Sequence, residues 1–181
     1  IPFRYTTQQI RPIIEQLLAL NDGRHAYVRM TLSRGFGTHG LIPADTCTPT
    51  FVIHAKPFVD YSASSYKTGI SLITSGLRRS TTCPISSHKT LNYLTNYLIK
   101  KEAVEKGVHD AIILNTNNHV AECAVSNIFL VEKDTVLTPS LAANILPGVT
   151  RRTILELCKE NGIRASEELF VLERTLTANE V

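Results

Sequence analysis

Apolar residues recur along the chain at spacings that separate helices from strands. Ile10, Ile13, Ile14, Leu17 and Leu18 follow the i, i+3, i+4, i+7 rule of a one-sided helical stripe. Thr6-Thr7 can cap that helix and Asn21-Asp22-Gly23 ends it. Pro12 either opens it at Arg11 or kinks it. The segment 88–106 predicts a second helix, with Leu91, Leu94 and Leu98 on one face and Lys100, Lys101, Glu102, Glu105 and Lys106 mostly on the other, stopped by Gly107. A third is expected from about Thr150 to Asn161, closed by Gly162. Residues 26–33, 51–55 and 69–74 read as strands, the first two separated by a Gly/Pro-containing loop from Gly35 to Pro49. Residues 111–114, 120–123, 127–131 and 135–138 read as short strands joined by Asn/Asp-rich turns, a meander rather than alternating βα units. This mixture without regular alternation predicts the α+β class.

Composition narrows the picture only modestly. A chain of 181 residues with 43% hydrophobic positions can bury a core, as one domain or the larger part of a two-domain protein. The apolar fraction excludes a disordered chain, and no run of 18 uncharged apolar residues could span a membrane. Nineteen Lys plus Arg against sixteen Asp plus Glu leave a charge of +3, too little to argue for a nucleic-acid or lipid surface. Cys47, Cys83, Cys123 and Cys158 form no CxxC pair, so reduced thiols in a cytoplasm are expected. The start, Ile1-Pro2-Phe3-Arg4, shows neither an initiator Met nor a signal-peptide pattern, and both ends look cut.

Two motifs are decoys. Gly35-Phe36-Gly37-Thr38-His39-Gly40 satisfies GxGxxG after a strand, but Leu41-Ile42-Pro43 follows where a dinucleotide site needs a helix N-terminus facing the pyrophosphate. The six histidines, at 25, 39, 54, 88, 109 and 119, have no zinc-site spacing, so no metal is expected. Cys83 and Cys123 read as inert rather than nucleophilic, because nothing local lowers a thiol pKa.

Three separated segments carry the chemistry: Ser86 to Leu94, Ala121 to Phe129 and Leu146 to Arg151. Lys89 is expected at a helix start, an unfavourable place for a merely solvated cation. Glu122 lies among small and apolar residues on a strand, where a buried carboxylate costs several kcal/mol without a cationic partner. Gly148-Val149-Thr150 opens a helix, offering free N–H groups, a positive dipole end and a hydroxyl to a phosphate. Two of these have a plainer reading, a surface lysine for Lys89 and a simple N-cap for Thr150. Together they supply an amine for a Schiff base, a carboxylate for a protonated ring nitrogen and a phosphate site, which is what pyridoxal 5'-phosphate requires.

The combination resembles the class IV (fold type IV) pyridoxal-phosphate enzymes, which include branched-chain aminotransferases, D-amino acid aminotransferases and 4-amino-4-deoxychorismate lyases. It runs over nearly the whole chain: Ala26-Tyr27-Val28-Arg29, Ser33-Arg34-Gly35, Lys89 to Leu94, Glu122 to Phe129, Thr138-Pro139, Leu146 to Arg151 and Ala178-Asn179-Glu180-Val181. The resemblance implies the family's large domain, a mixed sheet or pseudo-barrel with flanking helices. Residues 1–24 would then be a helix linking from a small N-terminal domain, and 25–181 a cofactor-binding domain incomplete at its C-terminus. The family's phosphate-clamping arginine and its last substrate loop would lie outside the chain, so the fragment alone is expected to bind cofactor poorly.

By the same resemblance, Lys89 is similar to the lysine that forms the internal aldimine and shuttles a proton, which calls for a partly desolvated amine. Glu122 resembles the carboxylate on the ring nitrogen, and Gly148, Val149 and Thr150 the phosphate cradle. Leu146 resembles the side chain packed on the ring. Tyr93, one expected helical turn after Lys89, resembles the tyrosine that hydrogen-bonds the ring oxygen. Tyr27 and Arg29 match a Tyr-x-Arg that meets substrate in the branched-chain group, whereas Ser33 to Gly37 and Glu122-Cys123 lean toward the lyases, with His39 where those carry an arginine. The implied activity is amino transfer between an amino acid and a 2-oxo acid in a cytoplasmic homodimer. Pyruvate elimination from aminodeoxychorismate is the alternative, and a non-catalytic α+β binding module the reading without an enzyme.

Overall fold

Thr6 starts the first helix. The Gln9 N–H donates to the Thr6 hydroxyl at 3.4 Å, and the Thr6 N–H donates to the Gln9 side chain at 2.9 Å. This reciprocal capping box satisfies two donors that a helix end otherwise leaves free. The helix, α1 (Thr7–Leu20), therefore begins well before Arg11 and runs on through Pro12. The computed structural model describes every residue except 2, 22, 24, 38–40 and 43–46.

After α1, β1 (Ala26–Phe36) and β2 (Thr48–Pro57) pair antiparallel, from Ala26 opposite Pro57 to Ser33 opposite Thr50, with a bulge between Ser33 and Phe36. Gly35 sits in that bulge at φ +81°, and a Cβ there would lie 1.6 Å from the Thr48 carbonyl oxygen. The first glycine of the GxGxxG string thus serves a close backbone approach between two strands. Tyr5 stacks on Phe51 of β2 at 4.9 Å between ring centroids, which fastens the segment ahead of α1 to the hairpin. A short helix, α2 (Ala63–Thr68), follows.

Contacts divide the described chain into two units, 1–66 and 67–181, a different cut from the one at 24/25 read from the sequence. The second unit holds two three-stranded sheets. In one, β4 (Asp110–Leu114) lies between β3 (Leu72–Thr74), parallel to it, and β5 (Val120–Cys123), antiparallel to it. In the other, β7 (Thr135–Pro139) lies between β6 (Leu130–Glu132), antiparallel, and β8 (Arg164–Glu168), parallel. Helix α3 (Leu94–Glu105) lies on the connection from β3 to β4, and α4 (Val149–Glu160) on that from β7 to β8. The expected meander is corrected to two antiparallel hairpins, each extended by a parallel partner through a βαβ crossover. A short α5 (Leu172–Thr177) closes the unit. The α+β class stands.

Burial explains this order. All five residues of β4 are buried. Ile112 and Leu114 join Val120, Cys123, Leu130, Leu137 and Phe170 in one cluster, while Ala111 and Ile113 join Ile99 and Ala103 of α3 in another. A strand covered on both faces can accept a parallel neighbour. The expected core face is reversed: Leu91, ahead of α3, and Leu94 and Leu98 on it are exposed, and Ile99 and Ala103 are buried. The helix also begins at Leu94 rather than at residue 88. Among the described residues no helix is long and apolar enough to cross a membrane.

Candidate active site

Within the second unit, a cavity of about 550 Å³ is lined by residues from the three segments singled out in the sequence. Lys89, Tyr93, Glu122, Leu146, Gly148, Val149 and Thr150 all border it, together with Ser87, Asn96, Cys123 and the loop 124–127. Its volume is that of ordinary small-molecule sites.

Lys89 does not stand at a helix start. It lies in irregular backbone between a 3-10 turn (Pro84–Ser87) and α3, and it is exposed, so neither the helix-dipole argument nor the expectation of a partly desolvated amine holds for it. Tyr93 is the residue just before α3, not one helical turn beyond Lys89. The two still meet: the Lys89 Nζ lies 5.4 Å from the centroid of the Tyr93 ring, within cation–π range.

Glu122 is buried on β5, opposite Ile113 of β4. Burial pushes its carboxyl above the usual range. The Arg79 guanidinium, a hydrogen bond from the Leu146 N–H and the Lys89 charge pull in the opposite direction. The cation that a buried carboxylate requires is thus chiefly Arg79, whose Nη1 lies 2.8 Å from Glu122 Oε1. The sequence calls for such a partner without marking which residue it is. Beside Glu122, Cys123 is buried, its thiol pushed up to about 12 mainly by desolvation and next by Asp110, so it is no nucleophile at ordinary pH.

The start of α4 also lines the cavity. Gly148 is the N-cap and makes no side-chain cap, so the first N–H groups of α4 have no side-chain partner there. Thr150 is the second residue of the helix, and its reading as a plain N-cap is corrected. Arg151 turns away: its guanidinium donates to the Pro139 carbonyl at 3.0 Å and pairs with Glu167. This end therefore offers backbone N–H groups, the Thr150 hydroxyl and a positive dipole end rather than a cationic side chain. Asn127 packs against Gly148. Asn96 donates to the Ala124 carbonyl at 2.7 Å and fastens the intervening loop to α3. Asn96 on α3, and Ser126 and Asn127 in the loop after β5, carry no mark in the sequence, because single amides and hydroxyls have no spacing signal.

Tyr27 and Arg29 belong to the first unit, both exposed on one face of β1, opposite Lys56 and His54 of β2. The Lys56 Nζ sits 5.4 Å from the Tyr27 ring centroid. His39 lies outside the described residues.

Chemically, the cavity brings together an amine able to bond a carbonyl, an anion able to hold a cationic nitrogen, and a helix end able to hold a phosphate. The sequence model described as "Amino-transferase class IV" matches residues 1–181. The chain belongs to the class IV aminotransferases. A Methanocaldococcus jannaschii protein provisionally named a branched-chain-amino-acid aminotransferase is 33% identical over 177 residues, covering 97% of this chain and 60% of that protein. The aminodeoxychorismate lyase of Bacillus subtilis is 31% identical over 182 residues, covering 99% and 61%. The crystal structure of a Thermobaculum terrenum branched-chain amino acid aminotransferase in its PLP form superposes with a TM-score of 0.82 at 25% identity, covering 98% of this chain and 58% of that one. The chain thus spans about 60% of the length of the curated relatives it matches, and it shares their family and fold over nearly all of its own length. The family depends on pyridoxal phosphate.

Proposed function

We propose that this chain forms the cofactor-holding part of a pyridoxal-phosphate enzyme that moves an amino group between an amino acid and a 2-oxo acid. The observation that carries this reading is one cavity bordered by Lys89, Glu122 and the uncapped start of α4. The donor set fits the cofactor. A primary amine suits the aldehyde, a buried carboxylate paired to an arginine suits a cationic ring nitrogen, and a helix N-terminus suits the phosphate. When bound, pyridoxal phosphate would supply the carbonyl that receives the amino group and an electron-withdrawing ring that makes the substrate Cα–H acidic.

The chain's own residues would do the rest. Lys89 would hold the cofactor through its Nζ and would carry a proton to and from the substrate Cα. Glu122 holds the proton of the ring nitrogen. Leu146 packs on the ring, and Gly148, Val149 and Thr150 bind the phosphate. Tyr93, under the Lys89 ammonium, orients that amine and reaches the ring oxygen. Tyr27, Arg29 and His39 are proposed to meet the substrate carboxylate and side chain.

A second reading, elimination of pyruvate from aminodeoxychorismate, is favoured by the 31% identity to the Bacillus subtilis lyase. Lyase and transaminase share the loss of the Cα proton and differ in what leaves afterwards. Borohydride reduction of the full-length protein, followed by peptide mapping, tests the common part: the pyridoxyl label is expected on Lys89. A label elsewhere, or none, would overturn the assignment of Lys89, and unchanged cofactor binding and spectrum in Lys89→Ala would return the chain to a non-catalytic module. Assays of amino transfer against pyruvate release then separate the two reactions. Assembly of the full-length protein as a homodimer is proposed from the same resemblance, and sedimentation measures it.

A further inference from the structure

Arg79 reaches Glu122 across a strand. Its backbone forms a parallel bridge with Asn115, its N–H donates to the Leu114 carbonyl at 2.9 Å, and its own carbonyl accepts from the Thr116 N–H at 2.9 Å. Arg79 is therefore fixed along one edge of the β4 line while Glu122, opposite Ile113, is fixed along the other. Asn115 and Ile113 are two apart, so both neighbours present side chains to the same face. Two strand spacings, roughly 10 Å, separate their backbones. A long cation and a glutamate can close that gap, and they do, at 2.8 Å with side chains only 11% and 8% exposed.

Glu122 is also a partition. It borders the large cavity that Lys89 lines and a smaller one, of about 280 Å³, behind it. Arg79 lines only the smaller one. The guanidinium thus approaches the carboxylate from behind and leaves the large cavity free. The stretch after it is pinned as well, since the Asn144 side chain donates to the Ser80 and Cys83 carbonyls at 2.6 and 2.9 Å.

We propose that Arg79 is the positioning residue of this site: from the rear cavity it holds Glu122 as an anion, oriented so that the carboxylate engages the ring nitrogen of the cofactor without the guanidinium entering the cofactor's space. The inference rests on the cofactor reading above and adds to it a residue that touches neither cofactor nor substrate. The physical reason is the cost of an ionised carboxylate away from water, which a fixed guanidinium offsets through a charge-assisted bond. Without Arg79 burial would push the carboxyl higher still, and its hold on a protonated ring nitrogen would weaken.

The test compares two ligands on the full-length protein by equilibrium binding: pyridoxal phosphate and its 1-deaza analogue, in which carbon replaces the ring nitrogen. Arg79→Gln is expected to weaken pyridoxal phosphate about tenfold, the equivalent of ~1.4 kcal/mol, and the analogue less than about twofold. In a Glu122→Gln background the Arg79 change should add no further loss for either ligand. Equal losses for both ligands would mean that Arg79 only supports the fold, and no loss for either would remove it from the site; both outcomes overturn the proposal. Failure of the unaltered protein to bind pyridoxal phosphate would instead strike the cofactor reading itself, and this inference with it. Should Arg79→Gln not fold, Arg79→Lys makes the same comparison, because it keeps the charge but loses the planar fork. It should show a smaller loss confined to pyridoxal phosphate, and an equal loss of both ligands overturns the proposal there too.

Discussion

The Asn127 side chain lies directly against the Cα of Gly148: a Cβ on that glycine would sit 2.6 Å from the Asn127 Oδ1. Gly148 has φ −60°, so room, not backbone freedom, is what requires a glycine there. Gly148→Ala is expected to displace the start of α4 and weaken pyridoxal phosphate about tenfold, ~1.4 kcal/mol, while pyridoxal without the phosphate loses little. Asn127→Ala in the same chain should restore most of the affinity. Titration of both ligands decides it, and an equal loss of the two would place the defect outside the helix end.

The buried Arg151 makes a stability prediction. Its guanidinium satisfies the carbonyl of Pro139, which is itself fully buried, and pairs with the half-exposed Glu167. Arg151→Met is expected to cost about 2–3 kcal/mol, the range for a lost charge-assisted bond that leaves a buried acceptor unmade. Glu167→Gln should cost far less. Urea denaturation measures both, and comparable losses would contradict this account.

Arg174 joins β6 to β8 through Glu132 and Glu168, each at 2.7 Å. Hydrogen bonds from Arg174 hold both carboxyls below their usual range. A carboxyl lowered in the folded state stabilises that state above its unfolded pKa, and the contribution is lost as pH falls through the folded value. The melting temperature should therefore fall more steeply with acid in the unaltered protein than in Arg174→Gln. The two curves should meet below the carboxylate range, and a gap that persists there would contradict the assignment.

The thiols should sort by environment. Cys47 and Cys83 are partly exposed, whereas Cys123 is buried with its thiol pushed up to about 12. Iodoacetamide at mildly alkaline pH should label Cys47 and Cys83 in the folded protein and reach Cys123 only after unfolding, as read by mass spectrometry. Early labelling of Cys123 would show that the cavity wall opens.

At the β1 bulge, Gly35→Ala meets both a positive φ and the Thr48 carbonyl. Strain of this kind costs about 1–3 kcal/mol, so amide exchange in β1 and β2 should rise markedly while β4 keeps its protection. Unchanged exchange in the hairpin would mean that the bulge can relax.

The parts of the fold that were legible in the sequence were those with a local cause. Thr6 and Gln9 form a capping box within one turn, and the hairpins β4/β5 and β6/β7 announce themselves through their Asn/Asp turns. The parallel strand β8 was not legible, because Arg164-Ala165-Ser166-Glu167-Glu168 is mostly polar and becomes a strand only by lying beside β7. Helix α3 misled for a related reason: its leucines stand out in the sequence, yet the strand it covers selects Ile99 and Ala103. For the site, three marked segments did converge on one cavity. Arg79 could have been suspected from the demand of Glu122 for a counter-charge, but only the register across β4 says which of Arg78 and Arg79 answers it.

The uncapped start of α4 has no ionisation of its own. Arg151 is held by Pro139 and Glu167, and Arg152 faces Glu156 at 3.8 Å one turn on. What α4 itself would offer a phosphate is thus peptide dipoles and the Thr150 hydroxyl, which neither gain nor lose protons in the physiological range. Any acid-induced weakening that arises there would report the phosphate's second ionisation, near pH 6, so the ligand's own titration becomes the gauge of its grip.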